Sequence, residues 1–230
     1  IDQDEISYFM GDSFPVTLGS YYKQYSLSEA KEAEFQYQKM NEIIDSHLHI
    51  KQFHFYTNAH FVDDKEYAEL FKELFVPSEG LQEKISFYSK VHNYSPYLSM
   101  AFRFRQLLGD FEDASGGEVL SVAERKQYIE DSLHLIDKVY EENNGEQMIF
   151  VTSDSKDFIK AASEKSYVFT VSGEIVHIDK QCTLVKTDYS KEFLDMLMLA
   201  RSSFIYVCKK ERMFTPGFSL NAAKLGGGNI

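Results

Sequence analysis

Positive charge is scarce in this chain. Its 230 residues carry 36 aspartates and glutamates against 24 lysines and arginines, a formal net charge of -12. That balance argues against a general binder of nucleic acid or anionic membranes, and it confines any phosphate site to a local island of cations. Cysteine is nearly missing. Cys182 and Cys208 lie in separate segments without metal-type spacing, which reads as reduced thiols rather than a disulfide framework, with one long-range bridge left open. No run of about 18 apolar residues occurs and no signal-peptide pattern opens the chain, so no membrane span is expected and cytoplasmic residence is the default. Internal repeats, low-complexity tracts and the patterns G-x-x-x-x-G-K-[ST], G-x-S-x-G and H-E-x-x-H are all missing. What is present is 43% hydrophobic and 15% aromatic, enough for one large or two small cores.

The first stretch, residues 1–25, has no sustained periodicity and reads as irregular. Ser26 and Glu29 form a capping box opening a helix that ends near Asp45, and the polar/aromatic alternation of residues 50–57 predicts a strand. Lys65 to Phe75 places Tyr67, Leu70, Phe71, Leu74 and Phe75 on one helical face. Pro77 stops it and Ser78 caps a second helix. Pro96 marks the expected hinge, since proline biases the preceding residue to extended geometry. Beyond it, strand and helix alternate. Ser121 and Glu124 cap a helix to about Glu142. QMIFVT at 147–152 is a buried strand and 155–164 a helix, with strands at 167–170 and 175–178 after it. Residues 190–201 form a helix with Phe193, Leu194, Leu197 and Met198 inward, followed by a strand at 203–208 and a helix at 216–225. The expected fold class is therefore α/β. A Rossmann-like parallel sheet with helices on both faces occupies 94–230, preceded by a smaller, mostly helical region with one strand at 1–93.

Three stretches concentrate chemistry. In SMAFRFRQLLGDF, residues 99–111, strand alternation would project Arg103 and Arg105 to one face while Phe102 and Phe104 face the other way. Two guanidinium groups side by side call for an anion, and Arg is shaped to hold phosphate in two-pronged fashion. Local carboxylates such as Asp110, Glu112 and Asp113 are the alternative partners. Ser153, Asp154 and Ser155 follow the strand at 147–152, at the sheet edge where α/β proteins bind ligands. Either they meet a ligand there or they cap the next helix, and capping is the reading favoured for Ser155. In FTPGFSLNAA, residues 214–223, Gly217 and Ser219 open a helix after the last strand, a possible phosphate cradle. His47, His49, His54 and His60 lack paired helical spacing, so no metal site is expected. His177 and Asp179 form a polar pair.

Together these stretches resemble, over roughly residues 94–230, the nucleotide-sugar domain of the fucosyltransferases of GT-B architecture, the superfamily of α1,2-, α1,6- and protein O-fucosyltransferases. In that family a strand with the pattern H-x-R, often followed by R-x-D or R-G-D, gives an arginine to the diphosphate of GDP-fucose. FRFRQLLGDF is similar to it, with Arg105 on the diphosphate arginine, Arg103 on the usual histidine, and Gly109-Asp110 on the Gly-Asp after two inserted leucines. TSDS resembles the strand end whose aspartate helps hold the guanosine, here Asp154. TPGFSLNAA resembles the S-x-F-S-x-x-A segment, bringing Gly217, Phe218 and Ser219 to the phosphates. Asp195 resembles the family's aspartate on the helix before the last strand.

The resemblance implies inverting fucosyl transfer from GDP-fucose to a glycan or other hydroxyl acceptor. Arg105 and Arg103 would act in catalysis, no metal or further cofactor is needed, and 1–93 is a reduced acceptor-side region. Asp110, Asp113 and Asp179 are the candidate bases. A non-catalytic nucleotide-sugar-binding module is the main alternative. A hydrolase using Asp154 as nucleophile ranks below it, because Lys156 stands where that chemistry wants a second aspartate.

Overall fold

Two short, nearly unbroken apolar runs set the architecture, because a strand apolar on both faces must be covered on both. The computed structural model describes residues 38, 40–46, 48, 64–91, 95–111, 117–175, 190–214 and 216–226. The expectations at 1–25 and 50–57, the Ser26/Glu29 capping box, those for His47, His49, His54, His60, His177, Asp179, Cys182, Glu112 and Asp113, and most of the strand at 175–178 lie outside them. The chain divides into two units, Ile1–Asp63 and Asp64–Ile230. Of the first, residues 40–46 are helical, in keeping with a helix ending near Asp45.

The second unit holds α1 (Asp64–Leu74), α2 (Glu79–Val91), β1 (Leu98–Phe102), α3 (Val122–Glu142), β2 (Ile149–Ser153), α4 (Lys156–Ala162), β3 (Val168–Phe169), α5 (Ser190–Arg201), β4 (Phe204–Cys208) and α6 (Gly217–Gly226). The four strands form one parallel sheet in the order β3-β2-β1-β4. After β3 the chain crosses back past β1, so the strand order reverses between β1 and β4.

Side chains leave the central strands alternately, as the period of two demands. Leu98, Met100 and Phe102 of β1, with Ile149 and Val151 of β2, pack with Tyr128, Ile136 and Val139 of α3 and Phe158 of α4. Ala101 and Phe150 face the opposite layer, with Ile85 of α2, Leu194 and Met198 of α5, and Ala222 of α6. Helices therefore cover both faces of a parallel sheet, a Rossmann-like α/β arrangement. Because α1 packs on α6 and α2 on α5, both helices belong to the sheet unit. The division falls at Asp63, earlier than the boundary expected at residue 94. Pro96 stands in the three-residue entry to β1.

Three local expectations change. β1 stops at Phe102, so Arg103 and Arg105 do not alternate along a strand; Arg105 opens a 3-10 turn, Arg105–Leu108. The cause is the pair of leucines after Gln106. Leu107 and Leu108 are buried in the same core as Phe102 and Phe104, and only a tight turn brings all four inward. Gly109 closes the turn at φ 78°, left-handed backbone that a β-carbon disfavours; the nearest atoms to such a β-carbon would be the movable guanidinium of Arg125, so the backbone is what requires glycine.

On α5 the buried residues are Lys191, Leu194, Asp195, Met196, Met198 and Leu199, while Phe193 is 45% exposed. A helix advances about 100° per residue, which swings residue 193 off the arc shared by 191, 194, 195 and 198. On α1 only Tyr67 and Phe71 of the expected stripe pack on the core; Leu70 and Leu74 are exposed. The Ser121/Glu124 capping box is present, with Ser121 Oγ accepting the Glu124 N–H. No helix among the described residues is long and apolar enough to cross a membrane.

Candidate functional site

The carboxyl edge of a parallel sheet at a reversal of strand order leaves a gap between diverging loops. Here it opens into a crevice of about 430 Å³. The ends of β1 and β2 supply Ala101, Phe102, Arg103, Thr152, Ser153 and Asp154, and the first turns of α5 supply Lys191, Glu192 and Asp195. Phe111, Ile175, Pro216 and Phe218 complete the walls. The size suits a small organic ligand, and the lining is apolar ring surface with a few convergent charged groups.

Five of the sequence-predicted residues meet in this crevice: Arg103, Ser153, Asp154, Asp195 and Phe218. Asp154 follows β2 directly and turns its carboxylate toward the chain leaving β1. Its Oδ1 accepts the N–H of Phe104 and its Oδ2 that of Arg105, both at 2.8 Å. Burial pushes the Asp154 carboxyl above the ordinary aspartate value, against the pull of those two amides and of the Arg103 charge. Asp195 Oδ2 accepts from Lys191 Nζ at 2.6 Å and from Thr152 Oγ1 at 2.8 Å, while Oδ1 is buried without a hydrogen-bond partner. Burial also raises the Asp195 carboxyl, opposed mainly by the Lys191 ammonium.

The other predicted residues stand beside the crevice and are engaged locally. The Arg105 guanidinium lies over the Phe214 ring, 4.1 Å from its centroid. Asp110 Oδ2 accepts from Ser155 Oγ at 2.7 Å and from the Asp157 N–H at 2.9 Å, pinning the end of the β1 loop to the start of α4. Ser155 is the cap of α4, accepting the Phe158 N–H. Ser219 is fully buried and donates to the Pro216 carbonyl, while a β-carbon on Gly217 would meet nothing within 4 Å, so close backbone approach does not explain that glycine.

Lys191 was missed by the sequence reading, as were Thr152 and Phe111. Its signal was present: Lys191 stands four residues before Asp195, a spacing that puts the two on one face of a helix. Among the described residues no three His, Cys, Asp or Glu side chains gather as a metal site. No family model matches the chain, nor does any curated protein or solved structure.

Proposed function

We propose that the crevice binds the diphosphate of a nucleotide sugar and that the chain works as a GT-B-type, fucosyltransferase-like glycosyltransferase, passing fucose with inversion from GDP-fucose to a hydroxyl acceptor. The observation that carries this reading is the meeting of Arg103, Ser153, Asp154, Asp195 and Phe218, drawn from four separate segments, in one crevice at the reversal of strand order. These are the segments whose residues resemble the family's donor-site motifs. As the sugar departs, negative charge grows on the β-phosphate. Arg103 on the crevice wall would stabilise that charge, with Arg105 on the neighbouring Phe214 ring adding a second positive group. One such contact is worth about 3 kcal/mol of barrier, roughly a hundredfold in rate.

A second reading is favoured by one observation. Both crevice aspartates have prior partners: Asp154 is bound by two backbone amides and Asp195 by Lys191 and Thr152. A site whose aspartates are so engaged suits a nucleotide-sugar-binding module without transfer.

A thermal-shift panel of GDP, UDP, ADP and GDP-fucose tests the shared part. A ligand at a hundred times its dissociation constant adds about 2.7 kcal/mol of stability, which is readily seen. Preference for GDP, lost in Arg103→Gln, supports the reading, and indifference to all four ligands refutes it. Release of GDP from GDP-fucose on addition of glycan acceptors then separates transferase from binder.

A further inference from the structure

The loop carrying both arginines leaves the sheet at Phe102, the last residue of β1 paired with β2. Beyond that point the backbone amides have no ladder partner and need acceptors of another kind. Asp154 provides two at once, one carboxylate oxygen for each of the amides of Phe104 and Arg105. Charge-assisted bonds of this type are the strong ones. They hold a turn that the chain would not adopt unaided, because Arg105 sits at φ 54°, left-handed backbone that a residue with a β-carbon disfavours. From the other side the Phe214 N–H donates to the Arg103 carbonyl at 3.1 Å, and the Phe214 ring carries the Arg105 guanidinium. The Arg103 side chain, between these two anchors, lines the crevice.

We infer that Asp154 is a positioning residue: its two-pronged grip on the Phe104 and Arg105 amides sets the turn that puts Arg103 on the crevice wall. The consequence for anion binding rests on the diphosphate reading above, whereas the grip on the loop does not. A purely Coulombic view makes the opposite prediction. A carboxylate beside Arg103 repels an incoming anion, so neutralising it would tighten binding; if the carboxylate instead builds the site, neutralising it loosens binding.

The test compares the wild-type chain with Asp154→Asn, which keeps the shape but sets an amide group against one of the two N–H donors, and with Asp154→Glu, which keeps the charge but displaces it. Hydrogen exchange by mass spectrometry should show faster exchange at residues 104–108 in both variants, with residues 98–102 still protected and the melt still cooperative. Titration calorimetry with inorganic pyrophosphate and with GDP should show affinity reduced about tenfold or more in both, as expected when a binding group is displaced by about an ångström. Unchanged exchange at 104–108, or pyrophosphate bound equally or more tightly by Asp154→Asn, overturns the inference. If the wild type binds neither probe, or Arg103→Gln binds both like the wild type, the diphosphate reading fails instead, and the exchange result alone decides the grip.

Discussion

Truncating Phe158 to alanine should cost far more than its place in a seven-residue helix suggests. The ring is fully buried, with centroids 4.7 Å from Phe102 and 5.1 Å from Phe104. It therefore touches both the last residue of β1 and the first residue of the loop fastened to Asp154. A buried Phe→Ala change leaves a cavity that neighbours refill only in part, at about 3–5 kcal/mol. For a unit of this size each kcal/mol lowers the melting temperature by about 2–4 °C, so a fall on the order of 6–20 °C is expected. Thermal melting followed by circular dichroism reads that fall, and urea titration reads the loss in kcal/mol, with the midpoint falling and the slope unchanged if the native state stays compact. Phe193→Ala is the control, since that ring is 45% exposed and its loss should stay within about 0.5 kcal/mol. A Phe158→Ala loss below about 1 kcal/mol, or equal losses at both sites, would refute the account of the aromatic cluster as the closure of this layer.

Other expectations follow from single contacts. Ser121→Ala should cost about 1 kcal/mol in the same urea assay, because both halves of the α3 capping box are formed; no loss would mean that the box is idle. Cys208 is buried and its thiol is pushed up to about 12 by desolvation, so in a Cys182→Ser background it should react with a disulfide reagent at pH 8 only on unfolding, and prompt native labelling would contradict this. Lys191→Met should destabilise by about 3–5 kcal/mol by stranding buried Asp195, while Lys191→Met with Asp195→Leu should be nearly neutral; similar losses in both would dismiss the pair's mutual dependence.

The carboxyls of Asp154 and Asp137 should give opposite pH slopes. Asp154 is raised by burial, so its contribution is full below the unfolded value near 3.8 and fades as pH rises through the folded value. Asp137 is lowered, the bonds from Lys165 and Tyr167 overcoming its burial, so its contribution is present above 3.8 and fades as pH falls. The melting gap between wild type and Asp154→Asn should narrow with rising pH, and that for Asp137→Asn should widen. Parallel slopes would contradict both signs.

Local chemistry was written plainly in the chain. The Ser121/Glu124 box, the left-handed close of α3 at Asn144 and Gly145, the cap at Ser155 and the apolar run that became β2 all follow from interactions within a few residues. Parallel pairing was legible too, since alternating strand and helix leave few other ways to bury both faces of a sheet. What required the tertiary structure was which neighbour each polar group meets. Arg103 and Arg105 read as twins on a strand, yet burial of Leu107 and Leu108 ends the strand at Phe102 and sends the two guanidinium groups to different neighbours. Asp154 read as a ligand group or a helix cap, and its partners proved to be amides about fifty residues away in sequence. Lys191 drew no reading from the sequence, and only the wall of the crevice shows it enclosed with Asp195. Hydrogen bonds inside a turn depend on spacing along the chain, whereas contacts across a sheet edge depend on how loops of unequal length meet, and no short window of sequence contains that geometry.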